Sequence, residues 1–450
     1  MAAPQGAHYG KVARNEDILR VWGIIPQNPS LLFPISPQRP AAVWTPRHPI
    51  GTDKDMTNDL EALQREVRSF LAAEAPTGWR DASRTQDDFV RTQRDWFGKL
   101  VRAGYAIPHW PAEYPGGGRS LAEQKVIYEE LAGADCPRLL LSFVSTYHAF
   151  ATLHECGNAE QKARYLPKIL EGETWCQGFS EPGAGSDLAA IKTRAELQSR
   201  PDGDVYVING QKVWSTMAQF ADKCLLLART SSDGVKQAGI TYLLMDMKAP
   251  GVTVRPIHQI QGDEEFAEIF LDNVEIPASE RVGEEGKGWA VAQATLASER
   301  GLTLMELSYR MRGALGRVAK LIRDHGHTED RGVLRDFGVL VTQVDAVCAI
   351  ADQFLDNRIN GIERMGDASI VKNAYSRALR AYSALGLRLG GMDEQYVAPI
   401  TFGDLNTGNW MADFMNSYAW TIAGGSEEVQ RGIIAERMLD MPREPKGWVL

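Results

Sequence analysis

The stretch "TWCQGFSEPGAGSDLAAIKTRA", residues 174–195, lies where the chain changes its hydrophobic period. Its segment Gly183-Ala184-Gly185-Ser186-Asp187 predicts a turn too tight for bulky side chains, where backbone N–H groups and the Ser186 hydroxyl can approach a polar cofactor. It is not a dinucleotide fingerprint, because Leu188 stands at the third glycine of G-x-G-x-x-G and no βαβ pattern surrounds it. Taken alone, the turn reads equally well as a plain connection between a helix and a strand.

Upstream, from Leu60 to about Gly172, the pattern is helical. Leu60, Leu63, Val67, Phe70 and Leu71 make one stripe, and "FVRTQRDWFGKLVRAG", "LAEQKVIYEELAG", "LLLSFVSTYHAFATLHECG" and "AEQKARYLPKILEG" continue with the same spacing. Downstream, from Trp175 to about Pro277, the runs are short and rich in β-branched residues, and Asn209-Gly210 within "VYVINGQKVW" predicts a type I′ hairpin. After Gly288 four or five long helical runs lead to about Leu439. No internal repeat points to a solenoid. The fold class expected is α+β, mostly α: helices, a central β domain, then a helical bundle.

Fifty-eight acidic against 49 basic residues, a formal charge of -9, argue against nucleic acid or an anionic membrane as partner. Cys136, Cys156, Cys176, Cys224 and Cys348 are scattered without metal-ligand spacing, so no metal site is expected and the thiols read as reduced. No apolar run approaches the length that spans a bilayer and no signal-peptide pattern opens the chain, so a soluble, cytoplasmic protein is expected. Residues 1–55 differ from the rest: seven prolines fall between Ile25 and Pro49, which predicts extended or disordered chain. Met56 is then a candidate natural start, and an arm wrapping a neighbouring subunit is the alternative.

Six stretches occur in a telling order: "WCQGFSEPGAGSDLAAIKTRA", "NGQKVWSTMAQFADKCLLLART", "GVTVRPI", "EIFLDNVEIPASERVGEEGKGW", "TLASERG" and "TIAGGSEEVQRGIIAERMLDMPREP". In that order they resemble the acyl-CoA dehydrogenase family, especially its bacterial fatty-acid and steroid side-chain branch, over nearly all of the chain after Met56. The resemblance implies a helical N-terminal domain at 56–173, a β-barrel-like middle domain at 174–286 and a C-terminal four-helix bundle at 287–450. It also implies a non-covalent FAD between the middle domain and the bundle, partly under a neighbouring subunit.

Residue by residue, Gln177, Phe179, Ser180, Gly185 and Ser186 match the family's flavin strand and loop, with Ser186 also facing the thioester ligand. Trp214, Ser215 and Thr216 match its tryptophan segment, where the Thr216 hydroxyl would bond near flavin N5 and the indole would wall off the ring; an ordinary core aromatic is the other reading of Trp214. Gly390 and Gly391 resemble the glycines that touch the partner's FAD, although Leu387 stands where the family commonly carries glutamine.

In "TIAGGSEEVQ", residues 421–430, Ser426 is a good N-cap and Glu427 and Glu428 fall in the first helical turn, so both glutamates are explained as helix starters. Resemblance places Ser426 and Glu428 against FAD. It also places the catalytic glutamate of straight-chain members at Gly424, so that carboxylate is missing here. A second branch takes its base from a pattern resembling "LASERG", and Glu299 occupies that position. Leu296, Glu299, Leu302 and Thr303 share one helical face, and a buried carboxylate is costly unless paired or functional. Arg300 or Arg310 would pair with it in a purely structural reading. Ser186, Arg300, Gly424 and Gly425 are the expected substrate-binding positions.

The activity implied is removal of the α-proton of an acyl-CoA thioester by Glu299 while the β-hydrogen leaves as hydride to FAD, giving a trans-2-enoyl-CoA. Electron-transfer flavoprotein is the expected acceptor, and a homo-tetramer or a hetero-oligomer with a related chain the expected assembly. The rival readings are an acyl-CoA oxidase-like flavoenzyme and a non-catalytic or half-site subunit.

Overall fold

The computed structural model describes residues 54–79, 85–298, 302–362, 364–392 and 409–443. The leader therefore lies outside the described residues apart from its last two. Five helices come first: α1 (Lys54–Glu74), α2 (Gln86–Ala103), α3 (Leu121–Gly133), α4 (Phe150–Cys156), which continues a π-helical turn over Val144–Ala149, and α5 (Ala159–Leu170). Local chemistry sets their starts. Thr85 with Asp88, Ser120 with Glu123, and Asn158 with Gln161 each form a capping box, satisfying two otherwise unpaired N–H groups per helix. α2 ends at Gly104 in the left-handed conformation, whose N–H returns to Leu100 and Val101.

Eight strands follow: β1 (Trp175–Gly178), β2 (Arg194–Gln198), β3 (Val205–Thr216), β4 (Lys223–Arg229), β5 (Ile240–Asp246), β6 (Val252–Pro256), β7 (Phe266–Pro277) and β8 (Arg281–Val282). They form one sheet in the order β6-β7-β3-β2-β4-β5-β8, with β1 parallel to β4. The continuous apolar run of β4 is explained by burial on both faces. Leu225 and Leu227 join the helical core, while Cys224, Leu226 and Ala228 face a second core enclosed by the sheet with Tyr206, Ile208 and Ile269.

The hairpin expected at Asn209-Gly210 does not exist. β3 runs through both residues as one twelve-residue strand against β7, and the register shifts between Ile208 and Gly210. The reversal is upstream, between β2 and β3, where Gly203 has φ 121°. Gly210 is needed for close approach instead: a Cβ there would stand 2.8 Å from the Thr193 Cα. Asn209 and Asn273 exchange hydrogen bonds across the irregular step, at 2.9 and 3.2 Å.

The C-terminal helices are α6 (Gly288–Ser298), α7 (Leu302–Asp324), α8 (Arg331–Ile359), α9 (Asp367–Gly390), α10 (Trp410–Ser417) and α11 (Glu427–Ile433), with a π-helical turn over Ile434–Met438. α7, α8 and α9 pack on one another, α10 packs on α9, and α3 packs on α7. A buried ion pair, Lys125–Asp352 at 2.9 Å, joins α3 to α8, and a half-buried one, Arg312–Glu129 at 2.8 Å, joins α3 to α7, so the N-terminal helices are fastened to the bundle by charge as well as by apolar contact. No described helix is long and apolar enough to cross a membrane, and no group of three or more His, Cys, Asp or Glu among the described residues could hold a metal. All five cysteines are free.

Candidate active site

The flavin-strand candidates and the tryptophan segment meet in the middle domain. Gln177 is half-buried on β1, and the Phe179 ring is buried edge-on to Tyr242 with centroids 5.8 Å apart. The Ser180 carbonyl accepts the Val213 N–H at 2.9 Å, which fixes the segment after β1 beside the end of β3. Beneath them lies a pair that sequence reasoning missed. Lys212, fully buried, donates to Glu181 at 2.8 Å and to the Phe179 carbonyl at 3.2 Å. Glu181 also accepts from the Lys192 and Thr193 N–H groups, at 2.6 and 2.9 Å. Burial opposes the Glu181 charge, yet the Lys212 ammonium and these N–H groups hold its carboxyl below the usual range. The available signal was weak: Lys212 is the one charged residue of β3, among polar Asn209, Gln211, Ser215 and Thr216.

A second register shift, between Lys212 and Ser215, breaks the alternation of β3. Val213 turns inward, and Trp214 turns outward with φ 62°, the left-handed region that a bulky side chain rarely occupies. Its indole is 59% exposed and touches Phe266 edge-on at 6.1 Å. The core-aromatic reading of Trp214 is thereby excluded. Ser215 is fully buried and its hydroxyl has no hydrogen-bond partner, while Thr216 is half-buried.

Gly185 and Ser186 lie on the exposed loop between Ala184 and the turn at Leu188. A Cβ at Gly183 or Gly185 would meet nothing within 4 Å, so the expected tightness is not imposed by the chain itself. The loop is pinned at its base by reciprocal hydrogen bonds between Glu181 and Ala184, at 3.0 and 3.1 Å.

The bundle carries the other candidates. Ser426 caps α11, accepting the Val429 N–H at 3.3 Å. Glu427 accepts from the Ser376 hydroxyl of α9 at 2.8 Å and from Arg431 at 2.9 Å, so it is committed to packing. Glu428 is exposed, and its own N–H and the Ser426 hydroxyl hold its carboxyl below the ordinary value. Gly424 and Gly425 have φ 65° and 87°. Gln430 takes the Gly424 carbonyl at 2.6 Å and buried Lys372 takes the Gly425 carbonyl at 2.7 Å, two further contacts the sequence did not reveal. The Gly424 N–H makes no hydrogen bond among the described residues. Gly390 closes α9, and Gly391 follows with φ 64°.

Within this chain no hydrogen bond, ion pair or ring contact joins the middle-domain candidates to those of the bundle among the described residues. Glu299 and Arg300 lie outside the described residues, between the end of α6 and the start of α7.

A helical domain, a sheet enclosing its own core and a helical bundle follow one another along the chain, with an outward tryptophan at the end of β3. Three family descriptions cover the chain in order: the acyl-CoA dehydrogenase N-terminal domain matches residues 57–173, the middle domain 176–274 and the C-terminal domain 286–439. The chain belongs to the acyl-CoA dehydrogenase family, flavin-dependent oxidoreductases. It is 36% identical over 402 residues to acyl-CoA dehydrogenase IpdE1 of Mycolicibacterium smegmatis, covering 86% of this chain and 100% of that protein. Among solved structures it is similar to the Tcur3481-Tcur3483 steroid ACAD, with TM-score 0.75, 30% identity and coverage of 86% and 98% of the two chains. The ChsE4-ChsE5 complex from Mycobacterium tuberculosis aligns with TM-score 0.69 and 27% identity, over 88% and 99%.

Proposed function

We propose that this chain binds FAD and oxidises an acyl-CoA thioester across its α,β-bond to a trans-2-enoyl-CoA. The observation that carries the reading is Trp214, held outward in a left-handed backbone beside Ser180 and above an unpartnered buried Ser215 hydroxyl. Backbone strain of this kind persists only where surrounding structure enforces it, here the Glu181–Lys212 pair and the register shift. Gln177, Phe179, Ser180, Gly185, Ser186 and the 214–216 segment are the residues assigned to the cofactor in this chain, with Ser426 and Glu428; Gly390 and Gly391 are assigned to the cofactor of a neighbouring subunit.

When bound, FAD supplies the acceptor for the hydride that leaves the β-carbon. The chain's own work is to hold the thioester and take the α-proton. Glu299 is the base assigned, its carboxylate receiving that proton, and the family's loop carboxylate is absent at Gly424. The Gly424 N–H is free to donate to the thioester carbonyl, and one preorganised donor of this sort contributes about 2.7–4 kcal/mol at the transition state. Electron-transfer flavoprotein is the acceptor assigned to the two electrons.

The test is Glu299→Gln. Denaturation should release FAD from wild type and variant alike, and CoA thioesters should bind both. Flavin reduction by a good substrate should slow about a hundred- to ten-thousandfold in the variant. Near-normal reduction rejects Glu299 as the base, and a protein that neither holds nor takes up FAD rejects the whole reading.

A second reading, that the chain works as one half of a pair with a related chain, is favoured by its likeness to the ChsE4-ChsE5 complex.

A further inference from the structure

Two glycines in succession make the loosest of backbones, yet Gly424 and Gly425 are held at both carbonyls. Gln430, only 2% exposed, reaches back from α11 and donates its Nε2–H to the Gly424 carbonyl at 2.6 Å. Lys372, 4% exposed on α9, donates its ammonium to the Gly425 carbonyl at 2.7 Å. One turn further along α9, Ser376 donates to the Glu427 carboxylate at 2.8 Å. The grip on Gly425 is close enough to exclude a side chain there, since a Cβ would stand 2.7 Å from the Gln430 Nε2. At Gly424 the opposite holds. That residue is exposed, a Cβ on it would meet nothing within 4 Å, and its N–H has no partner among the described residues.

Lys372 is costly where it stands. Its ammonium carries three donors, and among the described residues it makes this hydrogen bond and no ion pair. Burial pushes its pKa down, against the raising influence of Glu427 and Glu428. An apolar side chain of the same length would fill the space without that penalty. What the ammonium adds is a charge-assisted hydrogen bond, stronger than a neutral donor gives. With φ held at 65° and 87° and both carbonyls bound, the peptide planes around the two glycines are not free to turn, so the Gly424 N–H keeps one direction. A donor fixed before its acceptor arrives costs no reorganisation when charge develops on that acceptor.

Resting on the acyl-CoA reading above, we infer that Lys372 and Gln430 are positioning residues: by holding the Gly425 and Gly424 carbonyls they aim the Gly424 N–H at the thioester carbonyl, with neither side chain touching the ligand. The loop carries no carboxylate at Gly424. Its contribution is backbone geometry, and that geometry is set from α9 and α11.

The experiment sets a thioester against its carbonyl-free counterpart. Holoenzyme, with a partner chain if it purifies with one, is titrated calorimetrically with trans-2-hexenoyl-CoA and a ring-bearing enoyl-CoA, and with the matching CoA thioethers that lack only the carbonyl oxygen. Infrared difference spectra of the isotope-labelled thioester carbonyl are recorded alongside flavin reduction by the saturated thioesters. In wild type the thioester should bind more tightly than its thioether, with its carbonyl stretch at lower frequency than in water. Gln430→Met and Lys372→Met each remove one donor at similar side-chain length. Each should cut the thioester's advantage about three- to tenfold, move the carbonyl stretch back towards its free value and slow flavin reduction about ten- to a hundredfold, while thioether affinity and FAD content stay as in wild type. Lys372→Arg, which returns a charged donor, should recover part of each change. Equal loss for thioester and thioether makes the two residues ordinary packing and overturns the inference, as does an unmoved carbonyl stretch in the methionine variants. The grips lie on different helices, so a variant that unfolds leaves the other to decide. Wild type alone also decides: equal affinity within each pair and an unshifted carbonyl leave no donor to position. If no thioester binds or reduces flavin, the acyl-CoA reading itself has failed; binding and reduction without a carbonyl preference sinks the positioning role alone.

Discussion

Glu181 and Lys212 show how one residue's chemistry reaches the site without touching ligand. Each is buried, and each would be expensive alone. Together, with the Lys192 and Thr193 N–H groups, they fasten the start of the glycine loop to β3 just before Trp214. Glu181→Gln leaves a buried ammonium without its counter-charge, so a destabilisation of about 3–5 kcal/mol is expected in urea unfolding, with loss of flavin retention. The same pair predicts a pH dependence. The folded Glu181 carboxyl is depressed, so its contribution is complete above the ordinary carboxylate pKa and disappears as pH falls through the depressed value. The wild-type stability curve should therefore fall on the acid side, and that branch should shrink in Glu181→Gln. An unchanged acid branch would remove Glu181 from the account.

At the scale of elements, β3 is the informative strand. Asn209-Gly210 has the composition of a hairpin turn, yet the residues on both sides find partners in β7, and nine paired positions outweigh a two-residue turn preference. Glycine at 210 answers to Thr193, which approaches from the segment before β2. Gly210→Ala should therefore cost about 1–3 kcal/mol through overpacking and lower the thermal midpoint. A hairpin glycine would respond differently, by shifting strand pairing, so amide exchange along 205–216 separates the two explanations. The helices were more legible. Ser426 reads as a cap in the sequence and is one in the structure, and Thr85, Ser120 and Asn158 cap their helices in the same local way, because a cap is satisfied within four residues of itself.

For the whole molecule, apolar side chains are exposed at both ends of α9, Met392 just beyond its last turn and Ile422 and Leu439 in segments that pack near its start. Met392 is 80% exposed, Ile422 69% and Leu439 62%, and Gly390 and Gly391 stand beside the first of them. Light scattering should give a mass above that of one 49.7 kDa chain, either for the chain expressed alone or after co-expression with a related one, and Ile422→Asp should shift it towards the monomer. A fully active, FAD-loaded monomer would reject the proposed association.

What the sequence determined by itself was whatever depends on near neighbours along the chain. The change from helical to strand period around Trp175, the cap at Ser426, and the match of six ordered stretches to one enzyme family all follow from short-range spacing and residue type. The tertiary structure alone decided which strand partners β3 takes, that Trp214 points outward on a left-handed backbone, and that Lys212 and Glu181 are a buried pair. The physical reason is separation. Glu181 and Lys212 lie far apart in the chain, and a buried charge or hydroxyl has meaning only once folding has removed the water that would otherwise satisfy it.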